Sequence, residues 1–306
     1  MTEDKDLSLI ERAASRIGDR KTHRRPAIPD RDDVQPGANA ERASEARGSG
    51  ASTVATGSRP RHALDLARLR AKGIVVPADG HSQLAEECRM IKRPLLNNAF
   101  GTSAALVSDG NLIMVTSTYA GEGKTFTAIN LAMSLTKEID KTVVLVDADV
   151  GRSNVHRVLG TPAGPGLLDL LLDDHLSLAD VLVDTSIPNL RILPKGRSHD
   201  LAYELLASQG MARITRELAD RYPDRIVVFD SPPLLITNEA VALSSHMGQI
   251  VFVVEAERTV HSAVKAALAL LDPEKPIGLV LNKARKSVGI EYYGYGYHDR
   301  AEGAVA

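Results

Sequence analysis

Short apolar runs alternate with amphipathic stretches along most of this 306-residue chain. Nearly continuous apolar runs are typical of strands that are buried on both faces. They occupy Leu112–Val115, Val143–Val146, Leu190–Leu193, Ile226–Phe229, Ile250–Val254 and Ile277–Leu281. Apolar positions at helical spacing predict helices near 124–137, 200–220, 238–245 and 260–271. Strands that alternate with helices predict an α/β fold whose mainly parallel sheet has helices on both faces, with functional residues at the carboxyl ends of its strands.

The first 80 residues differ in composition from the rest of the chain. The stretch from Asp19 to Arg61 is rich in Arg, Asp, Pro, Gly, Ser and Ala and has almost no large apolar residues, which predicts a disordered linker. Apolar stripes at 7–17 and 64–69 predict one short helix before this stretch and another after it. We therefore expect a mostly disordered N-terminal segment at 1–80, a globular domain at 81–286 and a flexible tail at 287–306.

Composition narrows the range of functions. The 37 basic and 39 acidic residues give a formal net charge of −2, which does not support electrostatic binding of nucleic acid. No apolar run approaches the roughly 20 residues that cross a bilayer, and the first residues lack the pattern of a secretory signal. Cys88 is the only cysteine, which excludes a disulfide framework and fits a reducing compartment. We expect a soluble protein of the cytoplasm.

A glycine-rich loop follows the first predicted strand and precedes a helical pattern. Its sequence over Ser117–Thr125 is STYAGEGKT, which ends in the G-K-T core of a phosphate-binding loop. Gly121 and Gly123 allow backbone N–H groups to surround phosphate oxygens. Lys124 can reach the β- and γ-phosphates, and the hydroxyl of Thr125 can ligate Mg²⁺. The loop predicts a nucleoside triphosphate site at the N-terminus of a helix.

Carboxylates follow two further predicted strands. Asp147 and Asp149 come directly after one apolar run, and Asp230 opens the sequence D-S-P-P after another. Because the carboxyl ends of parallel strands meet at one edge of a sheet, we expect these residues near the phosphate loop. Carboxylates in that position can bind Mg²⁺ directly or through water, and they can orient or deprotonate an attacking hydroxyl.

Together these three motifs resemble those of the bacterial tyrosine kinases (BY-kinases) of the polysaccharide copolymerase system. The similarity covers about 82–283 and the tail. The order of features looks most like that of the exosortase-associated (XrtA) tyrosine autokinases of exopolysaccharide biosynthesis. The resemblance implies a P-loop NTPase fold, with ATP and Mg²⁺ as cofactors. It also implies an autokinase that transfers the γ-phosphoryl group to C-terminal tyrosines in trans and so regulates polymer synthesis and export.

The resemblance assigns roles to individual residues. Lys124 neutralises the transferring phosphoryl group, and the implied metal ligands are Thr125, Asp149 and Asp230. Either Asp147 or Asp149 positions the tyrosine hydroxyl, and we assign Asp147 as the general base. Nucleotide contacts are implied at Ala120, Gly121, Glu122, Gly123, Lys124, Thr125, Phe126 and Asn282. The last of these residues contacts adenine in similar ATPases, although an ordinary capping asparagine fits its position as well.

Three positions depart from the family pattern. Thr118 stands where a strict phosphate-binding loop has its first glycine, and Ala120 replaces a common proline. The arginine of the family's D-x-D-x-R motif would fall at Gly151. Arg152 follows one position later and is a candidate to take over its role.

Two further features of the resemblance concern contacts between subunits. Four tyrosines cluster near the C-terminus and are the implied autophosphorylation sites, namely Tyr292, Tyr293, Tyr295 and Tyr297, although a low-complexity tail without that role stays open. Glu86, Arg89 and Lys92 are similar to the family's oligomerisation motif E-x-x-R-x-x-R, with lysine in place of the last arginine. Ordinary ion pairs on one helix would have the same spacing.

The resemblance also implies partners. These are further copies of the chain, arranged as a ring, and a membrane polysaccharide copolymerase similar to the Wzz chain-length determinants. The copolymerase would act as activator and recruit the chain to the inner face of the cell membrane. A cognate tyrosine phosphatase is a further candidate, and nucleic acid is not expected.

Two other functions would use the same sheet and motifs. A ParA/MinD-like positioning ATPase usually has a second lysine near the start of its loop, where this chain has Thr118 and Tyr119. A nucleotide-gated scaffold of the polysaccharide machinery, without kinase activity, would share all the binding residues.

Overall fold

Seven strands form one sheet in the computed structural model, which describes residues 61–78, 82–101, 107–222 and 224–285. The strands are β1 Leu112–Ser117, β2 Thr142–Asp147, β3 Val183–Asp184, β4 Leu190–Leu193, β5 Arg225–Asp230, β6 Gln249–Glu255 and β7 Ile277–Asn282. Their order across the sheet is β3-β4-β2-β5-β1-β6-β7. Only β3 runs antiparallel to its neighbour; the other adjacent pairs are parallel. All six predicted strands are confirmed, and β3 is too short to have been visible as an apolar run.

Helices connect these strands. They are α1 Leu66–Ala71, α2 Gln83–Phe100, α3 Lys124–Leu135, α4 Val155–Leu159, α5 Leu167–Leu172, α6 Leu178–Val181, α7 Ala202–Leu206, α8 Gln209–Asp220, α9 Asn238–Ser244 and α10 His261–Leu268. The single helix predicted at 200–220 is two helices, because Ser208 caps the start of α8 by accepting a hydrogen bond from Met211 N. Within the described ranges, no helix is long and apolar enough to cross a membrane.

The core lies on both faces of the sheet. Val144, Phe229 and Phe252 point to one face and pack in one apolar cluster. Val143 and Val228, which alternate with them along the same strands, belong to the cluster on the other face. Burial on both faces explains why the strands are nearly continuous apolar runs. The predicted α/β fold, with helices on both faces of a mainly parallel sheet, is confirmed.

The packed core extends N-terminal of the predicted boundary at His81. Leu64, Leu69 and Val76 are buried in one of the two apolar clusters. The backbone of His62 pairs with the β3 region, since its N–H donates to the Asp184 carbonyl at 2.8 Å. Residues 62–76 therefore belong with the globular domain. The linker predicted before residue 61 and the tyrosine tail predicted after residue 286 lie outside the described residues.

Candidate active site

Two left-handed glycines shape the loop between β1 and α3. Gly121 has φ 90° and Gly123 has φ 103°, values that side chains rarely permit. A Cβ atom on Gly123 would lie 2.0 Å from Nδ2 of Asn282, so another residue there would displace that side chain. Helix α3 starts immediately afterwards at Lys124. Its first backbone N–H groups and its dipole place partial positive charge where the sequence predicts a phosphate.

The buried side chain of Glu122 stabilises this loop through hydrogen bonds. It is only 2% exposed, and its carboxylate accepts hydrogen bonds from the backbone N–H of Tyr119 at 2.8 Å and from the hydroxyl of Thr259. Ser117 also donates to the Tyr119 carbonyl, at 2.8 Å. Glu122 is one of the predicted nucleotide contacts, but its side chain is engaged by the loop. A contact with nucleotide at this position would have to use the backbone.

The first two residues of α3 face carboxylates at the ends of neighbouring strands. Thr125 Oγ1 donates to Asp230 Oδ2 at 2.7 Å, and Lys124 Nζ lies 3.6 Å from Asp149 Oδ2. The register between β2 and β5 places Asp147 beside Asp230. Because β5 lies between β1 and β2, the phosphate loop and the acidic residues meet at one edge of the sheet. The residues predicted for catalysis thus lie together.

Burial changes the acidity of two of these carboxyl groups. Burial, with smaller contributions from neighbouring carboxylates, raises the pKa of Asp230 to about 8. Burial also raises the pKa of Asp147 to about 6, against the hydrogen bond that Ser153 Oγ donates at 2.5 Å. In the described part of the chain, Oδ1 of each aspartate is buried without a hydrogen-bond partner. A cation or a hydroxyl donor would satisfy these oxygens.

Mg²⁺ fits the arrangement of Thr125 and Asp230. Their hydroxyl and carboxylate already touch, and the unbonded Oδ1 of Asp230 is the hard oxygen ligand that Mg²⁺ prefers. Among the residues that the structure describes, no group of three or more His, Cys, Asp or Glu side chains could hold a metal ion. Phosphate oxygens and water would therefore have to complete the shell, as is usual for Mg²⁺ at nucleotide sites.

Asp230→Asn is expected to stabilise the nucleotide-free protein at pH 8 and to do so less at pH 5. A carboxyl group with a raised pKa favours folding at low pH and loses that contribution as the pH rises from 3.8 to about 8. Asparagine removes the buried charge and keeps an acceptor for Thr125, so we expect a gain of roughly 2 kcal/mol at pH 8. Thermal unfolding at both pH values measures this gain in stability, with Asp140→Asn at an exposed position as the control. An equal gain at both pH values would contradict the buried charge as its cause.

Asn282, at the end of β7, contacts the phosphate loop. Its Nδ2 donates to the Glu122 carbonyl at 2.8 Å. The next residue, Lys283, donates to the Gly121 carbonyl at 2.8 Å and pairs with Glu255 at 3.1 Å. Together these bonds tie the end of β7 to the loop. The amide of Asn282 thus has a capping contact, and its contact with adenine stays a prediction.

An open cleft of about 590 Å³ adjoins Asp147 at the ends of β2 and β4. Basic side chains contribute much of its wall, namely Arg152, His156, Arg157 and Lys195. Within the described ranges, no carboxylate lies within ion-pair distance of the two arginines or the lysine. Gly151 and Arg152 both line this cleft, so Arg152 is placed where it could substitute for the family's arginine.

Two residues of the site were missed in the sequence. Ser153 donates to Oδ2 of Asp147 and fixes that carboxylate. Lys195 donates to the Val150 carbonyl at 3.2 Å and so joins the loop after β4 to the acidic motif after β2. The signal that could have found Lys195 is its position two residues after a predicted strand end. Ser153 carries no distinctive spacing.

The three predicted oligomer contacts lie on helix α2 but have different surroundings. Glu86 and Arg89 form an ion pair with each other, and their side chains are 51% and 31% exposed. Lys92 is instead buried, where it donates to the Ser134 carbonyl at 3.0 Å and pairs with Glu138 at 2.5 Å. Lys92 therefore packs α2 against α3, and a further role for it at an oligomer interface stays a prediction. Glu86 and Arg89 remain the predicted interface.

Lys92→Ala is expected to lower the free energy of unfolding by roughly 2 kcal/mol, because it removes a buried, charge-assisted hydrogen bond between two helices. Arg93→Ala changes the next residue, which is exposed, and should alter stability by about 0.5 kcal/mol or less. Urea denaturation of both variants measures the difference. Similar losses in the two variants would contradict the anchoring role of Lys92.

A family model described as the CobQ/CobB/MinD/ParA nucleotide binding domain matches residues 113–293. The match covers more than half of the chain and includes the phosphate loop and the carboxylates beside it. The fold and the site therefore define a P-loop nucleotide-binding domain of this group.

Curated relatives identify the family more narrowly. Tyrosine-protein kinase YwqD of Bacillus subtilis (strain 168) is 32% identical over 189 residues, which cover 61% of this chain and 78% of the relative. Tyrosine-protein kinase CpsD of Streptococcus agalactiae is 28% identical over 211 residues, which cover 66% of this chain and 90% of the relative. Tyrosine-protein kinase wzc of Salmonella typhi is 29% identical over 195 residues, 63% of this chain but only 27% of that protein. The chain belongs to the bacterial tyrosine kinase (BY-kinase) family.

Solved structures agree with this assignment. The chimerical protein CapA2B2 superimposes with a TM-score of 0.60 at 26% identity, covering 74% of this chain and 95% of that one. The kinase domain of VpsO gives a TM-score of 0.53 at 26% identity, and the match covers 67% of this chain and 100% of that one.

Proposed function

We propose that the chain is an ATP-dependent protein-tyrosine autokinase that regulates exopolysaccharide polymerisation and export. The observation that carries the proposal is a buried carboxylate, Asp147, with a pKa raised to about 6, placed between a phosphate loop and an open cleft. A base with this pKa can accept the proton of a hydroxyl near neutral pH. Membership of the BY-kinase family supports the same reaction. Because the chain spans only 27% of wzc, the activity of the whole protein is part of the proposal.

Four residues would organise the nucleotide. Lys124 would lie against the phosphates and neutralise their charge, while Thr125 and Asp230 would hold Mg²⁺. When bound, Mg²⁺ offsets negative charge on the phosphate oxygens. Asp149, 3.6 Å from Lys124, would keep the lysine in position and belong to the outer metal shell. These side chains already touch each other, so little rearrangement is needed when nucleotide binds.

Asp147 is the proposed general base. Its Oδ2 accepts the hydrogen bond from Ser153, which fixes the orientation of the carboxylate. Its Oδ1 has no partner among the described residues and is the atom that would accept the proton of the incoming phenol. Above a pH of about 6 the carboxylate is ionised and competent to do so.

The proposed acceptors belong to the tail of a second copy of the chain. They are Tyr292, Tyr293, Tyr295 and Tyr297. The basic wall of the cleft favours an acidic acceptor segment, and Glu291 directly precedes the tyrosines. Four added phosphates would bring roughly −6 to −8 charge at neutral pH, enough to weaken contacts between copies by repulsion.

The partners of this reaction are proposed from the resemblance. They are a homo-oligomer, arranged as a ring, and a membrane copolymerase similar to the Wzz chain-length determinants. That copolymerase would activate the kinase and recruit it to the inner face of the cell membrane. The same resemblance supports a place in an exosortase-associated system and a cognate tyrosine phosphatase.

Intact-mass analysis after incubation with Mg-ATP tests the proposal. Phosphate increments that map to the four tail tyrosines, and that are absent in Lys124→Met and when all four tyrosines are replaced by Phe, would support the kinase. ATP turnover without increments would favour a ParA/MinD-like ATPase. Nucleotide binding with neither result, even after the cytoplasmic segment of the copolymerase is added, would favour a scaffold.

A further inference from the structure

A second cleft, of about 400 Å³, lies at the other end of the sheet from the phosphate loop. Arg225, which lines it, is the first residue of β5, whereas Asp230 at the nucleotide site is the last. The two ends are therefore separated by about 17 Å along the strand. One part of the wall is apolar, and the rest is charged or aromatic. The lining residues are Leu178, Ala179 and Leu182 together with Arg61, Asp184, Arg191, Arg221, Tyr222 and Arg225.

Arg225 is a buried cation without an anionic partner. The residue is 3% exposed, and its Nε is buried without a hydrogen-bond partner in the described part of the chain. Its guanidinium lies 4.0 Å from the centroid of the Tyr222 ring, and this cation–π contact gives the buried Nε–H no hydrogen-bond acceptor. None of the carboxylates in the described ranges lies within ion-pair distance of it. Such a group is costly to bury unless an anion completes its surroundings.

The neighbouring charges leave the cleft positive. Arg191 pairs with Asp184 at 2.7 Å, and among the described residues that line the wall this aspartate is the only carboxylate. Arg221 pairs with Glu217 at 2.6 Å, outside the lining. Burial is the main cause that lowers the pKa of Arg225, and Tyr222 acts against it; the charges of Arg191 and Arg221 lower this pKa further, whereas the charge of Asp224 raises it. With Arg61, four arginines face one carboxylate across the cleft.

We propose that this cleft binds an aryl phosphate, the phosphotyrosine side chain of a phosphorylated tail on a second copy of the chain. Arg225 and Arg61 would bind the phosphate through the paired N–H groups of their guanidinium ions. The ring would pack against Leu178 and Leu182. This inference rests on the proposed function, which supplies the phosphorylated tyrosines. A tail with one phosphotyrosine would then dock on another copy, far from the site where the phosphate was added, whereas the charge of all four phosphates would weaken contacts between copies.

The shape of the cleft favours a phosphotyrosine over a lipid headgroup. A volume of about 400 Å³ with one apolar wall has room for a phenyl ring and its phosphate. Cations that bind a bilayer surface must reach the headgroups, whereas Arg225 is almost fully enclosed. The buried cation is therefore better matched to a side chain that enters the cleft.

Binding of a synthetic peptide to the full chain tests the inference. The peptide has the sequence of residues 289–299 and a phosphate on Tyr295, and the protein is first shown by mass to be unphosphorylated. We expect the unphosphorylated peptide to bind at least about tenfold more weakly. Arg225→Met and Arg61→Met should each lower the affinity for the phosphopeptide by about tenfold or more. Arg213→Met, which removes an arginine outside the cleft, should change this affinity by about twofold or less.

Folding of the variants is controlled separately. Arg225→Met should unfold at the same temperature as the native chain or higher, because it removes an unpaired buried charge. Arg225→Lys keeps the charge but not the paired donors, so it should also bind the phosphopeptide poorly. Native affinity in both Arg225→Met and Arg61→Met would overturn the inference. So would inorganic phosphate that binds as tightly as the peptide, or phosphatidic acid vesicles that bind through Arg225 when the peptide does not.

Because the peptide is synthetic, this assay does not depend on kinase activity. A chain that binds it through Arg225 but adds no phosphate in the presence of Mg-ATP would refute the proposed function alone. A chain that phosphorylates its tail but binds the peptide independently of Arg225 would refute this inference alone.

Discussion

Asp147→Asn is expected to slow autophosphorylation by roughly 100- to 10,000-fold, the usual contribution of a general base. Asparagine has the same shape and can still accept the hydrogen bond from Ser153, but it cannot take a proton. Lys124 and Thr125 are untouched, so the affinity for nucleotide should change by about twofold or less. Single-turnover transfer from labelled ATP, measured beside nucleotide affinity, separates the two effects.

Two matched variants sharpen this prediction. Ser153→Ala removes the hydrogen bond that holds down the pKa of Asp147, so the rate should persist while its pH profile moves to higher pH. Asp149→Asn removes the charge of the carboxylate that pairs with Lys124. It should therefore lower nucleotide affinity more than Asp147→Asn does. If Asp147→Asn transferred phosphate at the native rate and Asp149→Asn did not, the base would be Asp149 instead.

Much of the fold could be predicted because its strands are buried on both faces. In such strands nearly every residue is apolar, so a run such as Ile226–Phe229 is visible without any knowledge of its neighbours. The short elements β3 and α4–α6 have no such pattern. Helix α6, for example, has four residues and is closed by a capping box between Ser177 and Asp180. Elements of this size owe their structure to packing rather than to periodicity.

The candidate site divides in a similar way. The phosphate loop and the carboxylates could be predicted because each follows a strand in the sequence, and the sheet then brings the strand ends together. The burial of Lys92 could not be predicted, because it depends on a carbonyl 42 residues away on another helix. Spacing groups Lys92 with Glu86 and Arg89 on one helix, whereas this tertiary contact buries it against another helix. Arg225 also lacks a local signal, since an arginine at the start of a strand is normally solvated.

Lys124→Met is expected to reduce autophosphorylation by roughly 1,000-fold, because it removes the cation nearest the predicted phosphates. Methionine has a similar length and suits a position that is 7% exposed, so the fold should be kept. Without its partner at 3.6 Å, Asp149 is left as an unpaired buried carboxylate that would repel the triphosphate. Nucleotide affinity should therefore fall together with the rate, unlike the result expected for Asp147→Asn.

The matched control for Lys124→Met is Lys265→Met, which removes an exposed lysine from α10 and should leave both quantities unchanged. Retained transfer in Lys124→Met would mean that another cation neutralises the phosphates. Lys283 is the candidate, since its Nζ already lies 2.8 Å from the Gly121 carbonyl of the phosphate loop. In that case Lys283→Met would cause the larger loss. If Lys124 has the proposed role, Lys283→Met should only loosen the loop and slow transfer by about tenfold or less.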